Sequence, residues 1–187
     1  MHVLVPMAEG CEEIETATII DTLRRAGARV CTAALTANPY VRGSRGLVLG
    51  ADSSLNTLPD RAWDLIALPG GMPGAEHLSQ SEQLKALLLA QQQAGRPLAA
   101  ICAAPAVVLG RQGLLAGYSA TGHPAFREEL GRYAARLVDE RVCVDGLLTT
   151  SQGPGTALEF ALTLVAQLYG SAHARTVAEP MLPNFSL

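Results

Sequence analysis

The chain has 187 residues, a formal net charge of −3 and a pI near 5.8, and 49% of it is hydrophobic. That length suits a single domain over residues 1–187 with a continuous core. The weakly acidic balance, with no Lys/Arg cluster, gives no field for nucleic acid or anionic lipid and leaves small or neutral molecules as the expected partners.

In chain order, apolar strand-like runs alternate with helical patterns. "HVLVP" reads as a strand, "EEIETATIIDTLRRAG" as an amphipathic helix closing on Gly27, and "ARVCTAAL" as the next strand. A polar, Gly-containing stretch follows, with a small hairpin expected near "RGLVLGAD". "WDLIALPGG" reads as a buried strand with a glycine exit, "SEQLKALLLAQQQAG" as a helix, and "PLAAIC" as a strand. Beyond it a helix is expected through "APAVVLGRQG", a short strand near "YSATGHP", a hairpin across "ARLVDERVCVDGLLTTSQ", and a long amphipathic helix over "GTALEFALTLVAQLYG". Each parallel crossover deposits a helix on a sheet face, so the alternation predicts an open α/β sandwich with a mainly parallel sheet. The opening "MHVLVPMAEG" carries no charged leader and no run of about 20 apolar residues occurs, so a cytoplasmic protein, not a membrane one, is expected.

Cys11, Cys31, Cys102 and Cys143 form no C-x-x-C pair, and His2, His77, His123 and His173 are scattered, so neither a disulfide framework nor a metal site is expected. Cys31 and Cys143 fall inside apparent strands and read as small buried hydrophobes. Cys102 is different. It ends the strand "LAAI" and is flanked by Ala100 and Ala104, the small neighbours that a strained strand-to-helix elbow requires. Pro105 is suited to open the next helix, whose positive end would stabilise a thiolate, so Cys102 is expected to titrate below a free cysteine. The glycines of "PGGMPGAEHL" match neither G-x-G-x-x-G nor a P-loop. They read equally as a tight turn or as backbone N–H groups placed for an oxyanion. No cofactor is expected.

The motifs "EGCEEIE", "RRAG", "GSRG", "DLIALPGG", "AAICAAP", "TGHP" and "LLTTSQGPGTALEFAL" occur in the order and at the spacings of the DJ-1/ThiJ/PfpI family. From His2 to about Pro180 the chain most resembles the DJ-1 and YajL branch. The resemblance implies a flavodoxin-like three-layer sandwich, a homodimer, and Cys102 on a nucleophile elbow. It further implies Glu15 as the acidic partner of the sulfur, and Gly70 and Gly71 with the N–H of Ala103 as the oxyanion pocket. His123 would be the nearby imidazole. Arg25, Arg45 and Pro180 would lie at a site edge completed across the dimer.

On a helical wheel Glu15 shares a stripe with Ile19, Leu23 and Ala26, which turns its carboxyl inward. Glu12 shares that stripe, so periodicity does not choose between them; the resemblance selects Glu15. A buried Glu15 would be protonated and able to donate to a thiolate. Peptidase-like members of the family place a histidine directly after the cysteine, where this chain has Ala103, so a peptidase is not expected. The H-x-E pair of glutamine amidotransferases is absent. Where a related protein carries two peripheral cysteines, this chain has Gly43 and Gly50, which would concentrate oxidation on Cys102.

The resemblance implies a glyoxalase or deglycase acting on a small dicarbonyl such as methylglyoxal or on its early adducts. The alternatives are a redox sensor, whose Cys102 becomes a sulfinate, and a chaperone, for which no sequence feature speaks.

Overall fold

The computed structural model describes residues 1–185. The first half runs β1 (His2–Met7), α1 (Glu13–Arg25), β2 (Arg29–Ala34), a β3–β4 hairpin (Tyr40–Arg42 and Val48–Gly50), β5 (Ser53–Ser54), β6 (Leu65–Leu68), α2 (Gly74–Gln80) and α3 (Glu82–Gln93). The second half begins with β7 (Leu98–Ile101), a π-helix (Pro105–Gly110), β8 (Ser119–Ala120), α4 (Arg127–Leu130) and β9 (Arg136–Leu137). The hairpin β10 (Val142–Asp145) and β11 (Leu148–Ser151) follows, then α5 (Ala157–Tyr169) and α6 (Ser171–Ala178).

Seven strands form the main sheet in the order β10-β11-β7-β6-β1-β2-β5, every pairing parallel except β10 with β11. The helices divide into two groups: α1, α5 and α6 pack together, and α2, α3, α4 and the π-helix pack among themselves. This is the three-layer flavodoxin-like sandwich expected. β6 and β7 are buried at every residue, as continuous apolar runs covered on both faces must be. β11 is buried too, although it reads Leu-Thr-Thr-Ser. Its hydroxyls are satisfied: Thr149 donates to Gln167, Thr150 accepts from the Thr121 N–H, and Ser151 donates to the Arg141 carbonyl.

Three elements differ from the sequence reading. The helix expected over "APAVVLGRQG" is a six-residue π-turn closed by bonds such as Arg111 N–H to the Ala106 carbonyl. Gly110 lies under the Tyr133 ring, where a Cβ would come within 2.4 Å of Cδ2. The hairpin expected from residue 135 pairs only over Val142–Ser151, while β9 pairs in parallel with β8 in a separate small sheet. β5 leaves the β3–β4 region and joins the edge of the main sheet.

From β1 the sheet runs through β2 and β5 to one edge and through β6, β7 and β11 toward the other. Parallel α/β sheets gather ligands beyond the carboxyl ends of the strands at such a reversal. There the loops after β1, β6, β7 and β11 bring residues 8–12, 69–73, 102–104 and 152–156 together.

Candidate active site

β7 ends at Ile101, and Cys102 follows with φ of +66°, one of two non-glycine residues at positive φ among those described. A left-handed conformation at such a residue is costly and persists only where the surroundings impose it. Here two hydrogen bonds do so. The Cys102 N–H donates to the Ser151 carbonyl and its own carbonyl accepts from the His123 N–H, both at 2.9 Å. Gly70 completes the fit: a Cβ there would sit 2.6 Å from the Cys102 Cβ. Sheet register thus fixes the elbow expected at this strand end.

α1 supplies the acid. Glu12 is its N-cap, with a carboxylate oxygen accepting the Glu15 N–H at 2.7 Å. Glu15, three residues on in the same first turn, is fully buried. Geometry therefore separates two glutamates that the helical wheel could not. The Glu15 Oε2 accepts the Gly70 N–H at 2.8 Å, and the carboxyl interacts with the Cys102 thiol. Oε1 is buried with no hydrogen-bond partner among the described residues.

Burial raises the Glu15 acid to about 7, even though the Gly70 N–H and the Cys102 thiol pull it down. Burial and then the charge of an ionised Glu15 push the Cys102 thiol up to about 12, with the Gly71 and Ala103 N–H groups aimed at the sulfur and pulling the other way. The sequence expectation of a thiol more acidic than free cysteine is thus reversed while Glu15 is ionised. Cys102 is 8% exposed and the element after the elbow is a short π-turn, so dipole stabilisation does not outweigh desolvation. The pair holds one negative charge above about 7 and takes a second only near 12.

The thiol opens into a pocket of about 250 Å³ lined by Glu12, Ser44, Arg45, Gly71, Met72, Ala103, His123, Phe126 and Pro154. Larger grooves exist, one of about 430 Å³ beside Trp63 and Gln83 and one of about 400 Å³ beside His77 and Ser81, but neither is lined by a cysteine.

Gly71 and Ala103 both line the pocket, with their N–H groups toward the sulfur. Gly71 has φ of +86° and packs so closely on the Gly10–Glu12 backbone that a Cβ would lie 2.4 Å from the Glu12 nitrogen. Gly70 does not join them as a donor: its N–H is committed to Glu15, and its role is close approach to the elbow. His123 lines the pocket, and its Nδ1 accepts the Ala125 N–H at 3.2 Å as the cap of the following turn. A neutral ring therefore carries its proton on Nε2.

Arg45 lies at the pocket wall of its own chain. Arg25 does not. It is ten residues beyond Glu15 on α1, roughly 15 Å along the axis, and its guanidinium pairs with Asp21 at 2.6 Å. Pro180 sits exposed in the turn Glu179–Met181, away from the pocket. Within one chain the predicted cluster Arg25–Arg45–Pro180 is therefore not assembled, because two members lie on distant elements.

Sequence reading missed the pocket roles of Ser44, Met72, Phe126 and Pro154. Pro154 stands inside "LLTTSQGPGTALEFAL", and Phe126 is the second residue after "TGHP"; these were available signals. Among the described residues no three His, Cys, Asp or Glu side chains cluster as a metal site needs, and no helix is long and apolar enough to cross a membrane.

The pattern of the DJ-1/PfpI family matches residues 1–167. "Protein DJ-1 homolog A" of Arabidopsis thaliana is 44% identical over 184 residues, 97% of this chain and 47% of its own length. The chain thus spans less than half of that relative. "Glutathione-independent glyoxalase DJR-1.2" of Caenorhabditis elegans is 32% identical over 179 residues, covering 96% and 94% of the two chains. The solved structure "Toxoplasma gondii DJ-1, oxidized" superposes with a TM-score of 0.93 at 43% identity, covering 98% of this chain and 99% of that one. With the elbow, its buried acid and these matches in agreement, the chain belongs to the DJ-1/PfpI family.

Proposed function

We propose that this protein is a cofactor-independent cysteine enzyme of the glyoxalase or deglycase type, acting in the cytoplasm on small dicarbonyls or their early adducts. One observation carries the reading: a strained, nearly buried Cys102 faces two backbone N–H donors and a protonatable carboxyl at the base of a small pocket. The volume is below the range typical of drug-sized ligands, which suits a substrate of a few heavy atoms. The name of the Caenorhabditis relative supports the same class.

In the reactive form Glu15 keeps the shared proton and the sulfur carries the charge. The thiolate attacks the aldehyde carbon of methylglyoxal, and the carbonyl oxygen takes the negative charge beside the Gly71 and Ala103 N–H groups. Protonation gives a hemithioacetal. Glu15, ionised by that transfer, is placed to remove the proton from the former aldehyde carbon, and its return to the neighbouring carbon yields a lactoyl thioester. Water then releases lactate and the thiol, so the net reaction is hydration with internal redox and needs no external oxidant. His123, which lines the pocket with Nδ1 engaged by the Ala125 N–H, is suited to assist the water step.

A second reading, oxidation of Cys102 to a sulfinate, is favoured by the same donors, because sulfinate oxygens would accept the hydrogen bonds meant for a developing oxyanion. The oxidised Toxoplasma relative is in line with it. We further propose a homodimer: the exposed apolar residues Ile14, Leu47 and Val48 flank the loop that carries Arg45. A second copy seated there is the way in which Arg25 or Pro180 would reach a site. The test is a panel of free dicarbonyls and preformed amine and thiol adducts, with lactate followed for wild type and Cys102→Ala. Lactate that depends on Cys102 supports the enzyme; peroxide-driven sulfinate formation without lactate supports the sensor.

A further inference from the structure

Glu13 begins α1 but does not behave as a helix-end charge. It is 5% exposed, and its carboxylate turns away from solvent into the loop between β3 and β4. One oxygen accepts the Arg45 N–H at 2.5 Å and the other the Ser44 hydroxyl at 3.1 Å, contacts that span 32 and 31 residues. Burial works against the charge, yet these bonds and the Leu47 N–H hold the carboxyl below its ordinary range. The Ser44 N–H meanwhile donates to the Cys11 carbonyl at 2.8 Å, so the loop is fastened to α1 and to the segment leading into it. Gly43 is buried against the same side chain: a Cβ there would come within 2.2 Å of the Glu13 Cγ. Ser44 and Arg45 both line the Cys102 pocket, and the Arg45 guanidinium pairs with no carboxylate among the described residues.

We infer that Glu13 is a positioning residue that fixes the Ser44–Arg45 wall and thereby holds the Arg45 charge at the Cys102 pocket. The inference takes the Cys102 pocket as the reactive site proposed above, but its test does not require turnover. The probes are iodoacetate and iodoacetamide, one anionic and one neutral, and the readout is the ratio of their alkylation rates at Cys102 followed by peptide mass. The ratio should fall about threefold in Arg45→Met, the scale expected for losing one partly solvated charge near the reacting atom.

Glu13→Gln separates positioning from simple charge. Removing a carboxylate near the pocket favours the anionic reagent on electrostatic grounds alone, so the ratio would rise. Loss of the fixed wall lowers it. The expected result is a fall of about twofold or more in Glu13→Gln, with no additional fall when Arg45→Met is added. Gly43→Ala, whose methyl displaces the Glu13 side chain without changing any charge, should give the same fall. It also serves where the Glu13 variant does not fold. A ratio that rises or holds in both variants, or that does not respond to Arg45→Met, overturns the inference. Dicarbonyl turnover that fails while the ratio behaves as expected refutes the proposed enzyme and leaves this role for Glu13 intact.

Discussion

Replacing Glu15 with glutamine keeps the size and a hydrogen-bond donor beside the Cys102 sulfur but removes the ionisable proton. In the wild type an ionised Glu15 is the second largest influence holding the thiol up at about 12, after burial. Two unit charges about 4 Å apart at an effective dielectric of about 20 repel by roughly 4 kcal/mol, on the order of three pH units. The burial cost remains in the variant, so we expect the thiol midpoint to fall by about one to two pH units. The assay is the rate of iodoacetamide alkylation at Cys102 across pH, with the modified peptide identified by mass. Wild type should also show a step near 7 as Glu15 gives up its proton, and Glu15→Gln should lose that step. Turnover should fall sharply in the same variant, because an amide cannot carry a proton between carbons. A midpoint that stays or rises in Glu15→Gln would refute the coupling between carboxyl and thiol.

The raised Glu15 acid also makes stability depend on pH. The folded state holds this proton up to about 7 and the unfolded chain only to 4.5, so the folded state binds more protons between them and stability falls as pH rises through that window. Urea unfolding should show Glu15→Gln gaining on wild type by up to about 3 kcal/mol between pH 4.5 and 8; a constant difference would contradict this. Gly70→Ala should destabilise by about 1–3 kcal/mol, since its Cβ meets the Cys102 Cβ at 2.6 Å, and thermal unfolding measures it. His123→Ala should cost about 1 kcal/mol through loss of the Ala125 cap and slow turnover less than Glu15→Gln does; equal losses would make His123 the principal proton carrier. Light scattering should give a dimer at micromolar concentration, and Leu47→Glu should shift it to monomer.

The sheet and its elbow were legible because they rest on local signals: apolar runs bounded by Gly and Pro, and small residues around Cys102. What the chain did not reveal is carried by long-range contacts. Nothing near Glu13 says that its carboxylate meets Ser44 and Arg45, and nothing in the "PGG" motif says that the Gly70 N–H belongs to Glu15 while that of Gly71 faces the sulfur. Helical periodicity left Glu12 and Glu15 equivalent until the N-cap geometry separated them. The expected acidity of Cys102 fails because the sequence reading treats Glu15 as a neutral donor and the helix start as dominant, whereas burial and then the charge of an ionised Glu15 push the thiol up. Arg25 and Pro180 lie on elements away from the pocket of their own chain, and only in the proposed dimer would a second chain bring them to a site.

In the proposed reaction the Cys102 sulfur bonds to the carbonyl carbon during turnover. Single-turnover mixing with methylglyoxal, acid quench and mass analysis of the peptide containing Cys102 tests it directly. The prediction is an adduct of one substrate mass on Cys102 that forms and decays as fast as lactate appears, absent in Cys102→Ala. Lactate formed at the wild-type rate by Cys102→Ala, or formed by wild type while Cys102 stays unmodified throughout, would contradict it.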